Sequence, residues 1–522
     1  MGHGAAPGAR LRLADLLAAL SLVTDLGMAF PPGEALRACL VATGLARRLG
    51  LPERDAGDVY YTTLLKFVGC TAYAHEEALL VGGDDVAVRG GGAAVDFANP
   101  REALAFLLFG MGPGRGPLGR AGRVARVLAG GERWDHEQKT AHCEVAAALA
   151  RRLGLTPGVQ RALAEIFERW DGKGGPHKLA GEAVALPARV AQVAQAAVLF
   201  DRLGGPEAAV AVVRRRAGGA LDPALAAAFA RHGPALLAEV AAADAWKALL
   251  DAEPEPRYWL AGPRLDDVAH AFADVVDLKL PFTRGHSSGV AALAEAAARA
   301  LGCDEGQVAA VRRAGLLHDL GRVGIPNGLW EKPGPLTAAE WERVRLHPYH
   351  SERILARSPA LAPLAPLAGM HHERQDGSGY HRQVGGAQVP LGARLLAAAD
   401  VYQAMTQGRP YRPAHAPEAA AAHLTAEAAR GRLDGEAVRA VLMAAGHAPA
   451  GPRRPWPAGL SDREVAVLRL IARGASYRDV ARDLAIAPKT AEHHIEHIYD
   501  KIGVSSRAAA AMFAMEHDLL AK

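Results

Sequence analysis

The sequence predicts an all-α protein built from two related helical domains and a smaller helical unit at the C-terminus. Three observations predict it. Ala, Leu, Arg and Glu dominate, aromatics are only 5 % of the 522 residues, and β-branched runs are short, a mix that favours helices over strands. Apolar residues recur at helical spacing in "GVAALAEAAARALG" (289–302) and "EVAVLRLIARGAS" (464–476). The chain also repeats itself. Gly33, Leu64-Leu65 and Gly69 fall on Gly285, Leu316-Leu317 and Gly321 at a constant offset of 252, and His142, Arg169, Asp171 and Arg189 fall on His347, Arg374, Asp376 and Arg394 at an offset of 205.

The change of offset places extra residues in the first copy, between Cys70 and His142. The expected organisation is a first domain over 1–254 with an insert at about 71–141 and a second domain over 255–446. A Pro-rich linker, "HAPAGPRRPWPAG", follows at 447–459, then a separate unit over 460–522. Within the insert, "DDVAVRGGGAAVDF" (84–97) is the best candidate for a small hairpin. "GRGPLG" (114–119) fits G-x-G-x-x-G, but no convincing strand precedes it, so it is expected to be a flexible loop; "RVARVLAGG" beyond it is expected to be a solvated helix.

Composition excludes several classes. With 60 basic and 56 acidic residues the net charge is +4, too balanced for a polyanion-coating protein. Four scattered cysteines without C-x-x-C argue against a disulfide framework or a thiolate zinc site. "LADLLAALSLVTDLGMAF" is interrupted by Asp15 and Asp25, and neither a secretory signal nor, in "MGHGAA", a myristoylation signal is present. The expectation is a cytoplasmic protein without a membrane contact.

The two copies differ in chemistry. The second carries His286, His318-Asp319, His347, His371-His372 and Asp400; the first has Glu34, Lys66-Phe67, His142, Ile166-Phe167 and Gln195 at the matching positions. Groups lost together are expected to have served one site. Imidazole plus carboxylate suits Fe, Mn or Zn better than Ca or Mg. Seven ligands exceed one tetrahedral centre and suit two metals about 3.5–4 Å apart, acting on a phosphodiester. A second His-Asp pair, His517-Asp518, carries no such context and no assigned role.

Residues 277–413 resemble the HD-GYP family of HD-superfamily phosphohydrolases through "DLKLPFTRGHS", "AGLLHDLGRVGIPNGLWEKPGPLT", "LHPYHSERIL", "HHERQDGSGYH" and "AAADVYQAMTQGRPYRP". The resemblance implies stacked helices around a bi- or trinuclear metal site that hydrolyses cyclic di-GMP to linear pGpG or GMP. It implies that His286, His318, Asp319 and Asp400 hold one metal and that Asp319, His347, His371 and His372 hold the other, with Asp319 bridging. Trinuclear members place a Glu where this chain has Phe282, so two divalent ions, Fe or Mn before Zn, are expected. The family's H-D-x-G-K reads H-D-L-G-R, which puts Arg322 in a catalytic, phosphate-clamping place beside Asp319; Arg clamps a phosphate bidentately but does not donate a proton. The Gly-Tyr-Pro motif reads Gly379-Tyr380-His381, a departure in the substrate loop. Arg409, in "GRPYR", is expected on a phosphate with Gly379, Tyr380 and Arg322. Two other readings remain: a cyclic-nucleotide sensor without turnover, and a phosphohydrolase of another nucleotide.

Residues 460–520 read as four short helices, the first opened by a Ser461/Glu464 capping box and the third starting at Pro488. They resemble the LuxR-type DNA-binding domain through L-S-x-R-E-x-x-V-L, G-A-S, A-P-K-T-A-E-x-H-I and K-I-G-V-x-S-R. The resemblance implies DNA as partner, a homodimer, and a helix-turn-helix whose third helix exposes Lys489, Thr490 and His493. Lys489 and Lys501 are expected on phosphates and His493 at a base edge. From 452 onward 11 basic residues face 9 acidic ones, which suits modest affinity and binding as a dimer.

Overall fold

The structure, a computed structural model, describes residues 11–110, 116–260, 262–446 and 456–520. Two compact units divide it, one over Arg10–Leu260 and the other over Ala261–Lys522.

The first unit runs through α1 (Leu13–Gly27), α2 (Glu34–Arg48), α3 (Glu53–Leu64), α4 (Ala74–Val81), α5 (Asp85–Gly92), α6 (Pro100–Ala105), α7 (Gly116–Arg152), α8 (Pro157–Ala164), α9 (Leu186–Arg216), α10 (Pro223–Ala242) and α11 (Ala245–Ala252). Its ends are clasped by a two-residue antiparallel pair, Leu11 against Leu260 and Arg12 against Trp259. Leu45, Val59, Val190, Val193, Phe229 and Leu236 form its buried centre.

The second unit runs through α12 (Pro263–Asp277), α13 (His286–Ala300), α14 (Glu305–Leu317), α15 (Asn327–Trp330), α16 (Ala338–Leu355), α17 (Ala365–Gly369), α18 (Leu391–Thr406), α19 (Pro417–Ala429) and α20 (Gly435–Ala445), then α21 (Asp462–Ala472), α22 (Tyr477–Asp483), α23 (Pro488–Ile502) and α24 (Arg507–Glu516). Gly315 sits where α14 crosses α13: a Cβ there would lie 2.8 Å from Ala291 Cα, so only glycine permits this approach.

The helices reproduce the repeat. α2 and α13 begin and end at the 252 offset, and α8 matches the stretch Ala362–Gly369 at the 205 offset. Gly33 and Gly285, both at positive φ, precede α2 and α13. A Cβ on Gly69 would lie 2.3 Å from His142 O, and one on Gly321 would lie 2.1 Å from His347 O, so the same backbone contact recurs in each unit.

Two readings of the insert are corrected. The 84–97 stretch is not a hairpin: Asp84 caps α5 by accepting from Ala87 N at 3.0 Å, and Val86, Val88 and Arg89 turn inward. An Asx cap and an apolar face at helical spacing outweigh the alternating Val residues. The 114–119 stretch is helical from Gly116 onward; Pro117 tolerates a first helical turn, and Ala, Leu and Arg downstream propagate it. Gly114 and Arg115 lie outside the described residues, as do residues 1–10 and most of the 447–459 linker.

The C-terminal helices show the expected signals. Ser461 and Glu464 form the capping box of α21, Pro488 opens α23, and Gly503 closes it in the left-handed conformation. α24 packs on α12. The Arg284 guanidinium donates to Ala472 O at the end of α21. Gly474 abuts Pro281, and Gly285 abuts Leu520. Among the described residues no helix is long and apolar enough to cross a membrane.

Candidate metal and phosphoester site

Five chain segments deliver the seven candidate ligands to one place. His286 is the first residue of α13, its backbone turned in by Gly285 at φ 75°. His318 caps the end of α14, and Asp319 follows at the turn. His347 lies within α16, His371 and His372 follow α17, and Asp400 lies within α18. All except His372 and Asp400 are almost wholly inaccessible, and those two are only slightly open.

The distances converge on two carboxylates. His286 Nε2 lies 3.0 Å from Asp400 Oδ1, and His372 Nδ1 lies 3.7 Å from Asp400 Oδ2. Asp319 Oδ2 faces His318 Nε2 at 3.0 Å, and Asp319 Oδ1 faces His347 Nε2 at 3.4 Å and His371 Nε2 at 3.8 Å. Three overlapping triads place their ligand atoms within 4.8 Å of one another: His347/His371/His372, His286/His318/Asp400 and His318/Asp319/His371. Asp319 thus stands between the two ends of the cluster.

Backbone carbonyls set the imidazoles. His318 Nδ1 faces Gly315 O at 2.7 Å, His347 Nδ1 faces Val344 O at 2.7 Å, and His371 Nδ1 faces Ala368 O at 2.6 Å. Each carbonyl is three residues earlier. It takes the Nδ1–H and turns Nε2 inward, where His347 and His371 present a lone pair and His318 a proton towards Asp319 that a bound cation would displace. Those three Nε2 atoms are buried without a hydrogen bond among the described residues. Stranding buried polar atoms costs about 1–3 kcal/mol each unless something binds them. The donor set, nitrogen and carboxylate oxygen without sulfur, fits divalent transition metals.

Electrostatics keep the site ready for cations. Burial raises the Asp319 carboxyl, but Arg322 and His318 outweigh it and hold it well below the carboxylate range; Asp400 is held down likewise by His286 and His372. Burial lowers His347 to about 4 and His371 to about 3, so both are neutral ligands at pH 7. Asp319 overcomes burial at His318 and raises it to about 9.

Two guanidiniums border the cluster. Arg322 Nη2 lies 2.5 Å from Asp319 Oδ2, and its carbon lies 5.0 Å over the Trp330 ring. Arg409 stacks at 5.0 Å over Phe282; burial and then Arg322 lower it to about 10, still cationic at pH 7. The Tyr380 ring lies 4.7 Å from that of His372. Gly379 passes so close to the chain that a Cβ would lie 2.4 Å from Glu373 Cα. The structure therefore brings all seven candidate ligands together with Arg322, Arg409, Gly379 and Tyr380. Sequence reasoning missed Gln407, whose Oε1 lies 3.0 Å from His286 Nδ1, and Trp330. Gln407 sits in the "GRPYR" neighbourhood that carried the resemblance; Trp330 gave no signal beyond being a lone aromatic in "GLWEKPG".

Among the described residues the first unit holds no equivalent. His142 Nε2 bonds Lys66 O at 2.8 Å and its ring meets Phe167 at 4.6 Å, a histidine satisfied by its own core. Glu34 pairs with Arg202 at 3.0 Å.

On the C-terminal helices, Lys489, Thr490 and His493 are exposed on α23. Lys489 and His493 side chains are 87 % and 80 % accessible, although Lys489 Nζ reaches Glu492 at 2.8 Å. Lys501 instead binds Glu464 at 2.8 Å, so its ammonium is partly spent inside the domain.

A buried His/Asp cluster on stacked helices, followed by a helix-turn-helix, defines a metal-dependent phosphohydrolase joined to a DNA-binding domain. Comparison with known proteins gives the same result. Residues 270–437 match the HD domain family and residues 458–514 the bacterial regulatory proteins of the luxR family. The chain is similar to the 3'3'-cGAMP-specific phosphodiesterase 3 of Vibrio cholerae serotype O1, 31 % identical over 405 residues, 77 % of this chain and 88 % of that one. It is similar to a cyclic di-GMP phosphodiesterase of Thermotoga maritima, 39 % identical over 132 residues, 25 % of this chain and 36 % of that one. The solved structure of a cyclic GMP-AMP-specific phosphodiesterase from V. cholerae superposes with a TM-score of 0.59 at 27 % identity, covering 84 % of this chain and 99 % of that one. The chain belongs to the HD-GYP family of phosphodiesterases and carries a luxR-type DNA-binding domain.

Proposed function

We propose that this chain hydrolyses a 3'3'-linked cyclic dinucleotide at a two-metal centre and acts as a DNA-binding transcriptional regulator in the cytoplasm. The observation that carries the reading is the set of three imidazoles whose Nδ1 atoms are tied to backbone carbonyls while their Nε2 atoms stand unbonded around Asp319. His286, His318 and Asp400 would hold one ion, and His347, His371 and His372 the other, with Asp319 between them. Iron or manganese suits this set, and zinc accepts the same donors. When bound, such a pair supplies a nucleophilic water at neutral pH and offsets phosphodiester charge.

The chain's own groups do the rest. The ionised Asp319 and Asp400 balance the cations. Arg322 and Arg409 orient the phosphate by bidentate contacts. Tyr380, beside His372, and Gly379, which lets the loop approach, shape the substrate wall. 3'3'-cGAMP is the favoured substrate, because the relative with that specificity matches across most of both chains; cyclic di-GMP is the second. The first unit, lacking the ligands, serves as a sensory or dimerisation platform, and the chain acts as a homodimer. The 447–459 stretch links catalysis to DNA binding. Deleting residues 1–254 is expected to change the oligomer seen by gel filtration.

The test is elemental analysis beside a hydrolysis screen of both cyclic dinucleotides. Wild type is expected to carry about two transition-metal ions and to release linear product. Asp319→Ala is expected to lose most of the metal and, with it, most of the turnover, since Asp319 would contribute to holding the ions. A metal-free wild type, or binding of both dinucleotides with no linear product, overturns the reading.

A further inference from the structure

Of the three side-chain nitrogens of Arg322, only Nη2 reaches a partner among the described residues, Asp319. Nε and Nη1 are buried without a hydrogen bond among the described residues. The side chain is 8 % exposed, so water does not satisfy it freely. Beside it stands Trp330, whose ring centroid lies 5.0 Å from the guanidinium carbon. Trp330 ends the short α15, which is anchored by the buried Asn327 through Nδ2 to Lys279 O at 2.9 Å. The indole also meets the His347 ring in an edge arrangement, centroids 5.5 Å apart. Its Nε1–H is also buried without an acceptor among the described residues. Three unbonded donors thus cluster on one Arg–Trp pair beside the metal cluster, a cost expected where an anionic ligand supplies the acceptors.

We propose that Trp330 is a positioning residue for Arg322, and that the pair forms the phosphate clamp of this site. The inference rests on the phosphodiester reading above. Its physics is that of a planar cation. A lysine ammonium at position 322 would be a point charge on a flexible stem, free to swing onto Asp319. A guanidinium braced by an indole swings less, so Nε–H or Nη1–H, each paired with the Nη2–H that Asp319 does not take, keeps its direction, and cation–π attraction is strongest for Trp. Bidentate phosphate contact needs such a fixed edge. The same device braces Arg409 on Phe282 at 5.0 Å. The position matching Arg322 in the first copy is Cys70, so that copy lacks the clamp along with the ligands.

The experiment is a double-mutant cycle on the full chain loaded with manganese, using Trp330→Leu, Trp330→Phe, Arg322→Lys and the Trp330→Leu/Arg322→Lys double variant. Turnover of 3'3'-cGAMP and cyclic di-GMP and calorimetric affinity for inorganic phosphate are both read, with metal content as control. Trp330→Leu is expected to lower kcat/KM and phosphate affinity about tenfold at unchanged metal content. Trp330→Phe is expected to restore most of both. In the Arg322→Lys background Trp330→Leu is expected to cost less than about twofold. Equal losses in both backgrounds overturn the pairing, and so does metal loss in Trp330→Phe as well as Trp330→Leu, which would show Trp330 to be a mere support for His347. Turnover without coupling sinks this inference and spares the phosphodiesterase reading. Coupled phosphate binding without turnover does the reverse, and a metal-loaded wild type that neither turns over nor binds phosphate overturns both.

Discussion

Lys66 stands where His318 stands in the second copy, and the exchange leaves a charge in a core. The side chain is buried and lies 5.4 Å from the Phe67 ring. Burial lowers it from 10.5 to about 7. Between those values the unfolded chain keeps a proton that the folded chain has shed, so stability rises with pH across the window. Lys66→Met removes this slope. The variant is expected to be more stable than wild type by several kcal/mol at pH 6, with the gap closing towards pH 10.5; melting curves at both ends of the range check it. At this scale the sequence was informative where a residue's own chemistry decides its role. Seven His and Asp residues spaced over more than a hundred positions were legible as one candidate ligand set, and the fold brings them together. Gln407 and Trp330 were not, because each acts through a neighbour supplied by another segment, and no spacing rule encodes a contact between α15 and the turn at Arg322.

The helix that opens on His286 shows how an element aims a ligand. Asp277, at the end of α12, accepts from Ser287 N and Ser287 Oγ, both at 2.8 Å, and so pins the first turn of α13. Asp25 does the same for α2, accepting from Gly33 N at 2.8 Å and Ala35 N at 3.1 Å. The matched pair gives a controlled prediction. Asp277→Ala is expected to weaken metal binding about 10- to 100-fold, as loss of a group behind a ligand commonly does. Asp25→Ala is expected to leave metal content unchanged. Equilibrium dialysis with elemental analysis reads both. Helix existence and type were legible from composition and caps, as at Ser461 and Pro488. The 84–97 stretch was misread because its Val residues alternate while its cap, Asp84, acts through a backbone bond that the alternation does not reveal.

Across the second unit, the turn that carries His286 also seats the DNA-binding helices. Arg284 donates to Ala472 O, while Arg469 and Arg473 bond Leu519 O and Leu520 O at 2.5 and 3.0 Å. Arg284→Ala is expected to cost about 1–3 kcal/mol by stranding a buried carbonyl. Hydrogen exchange should quicken at residues 470–474 and 519–520 and remain slow at 316–320. Lys489 faces outward, so Lys489→Ala is expected to weaken DNA binding evenly across sequences and to reduce the salt slope by about one. A titration at several salt concentrations reads that. Lys501→Ala should reduce the slope less, since Glu464 already holds that ammonium.

The sequence by itself determined the helical class, the tandem repeat, the set of candidate ligands and the two family resemblances, because composition, period and offset are properties of order along the chain. Only the tertiary structure decided which nitrogen of each imidazole faces the cluster, which ring braces each guanidinium, and where α21 and α24 rest. Those depend on side chains and carbonyls that meet across long stretches of chain, and such meetings are settled by packing.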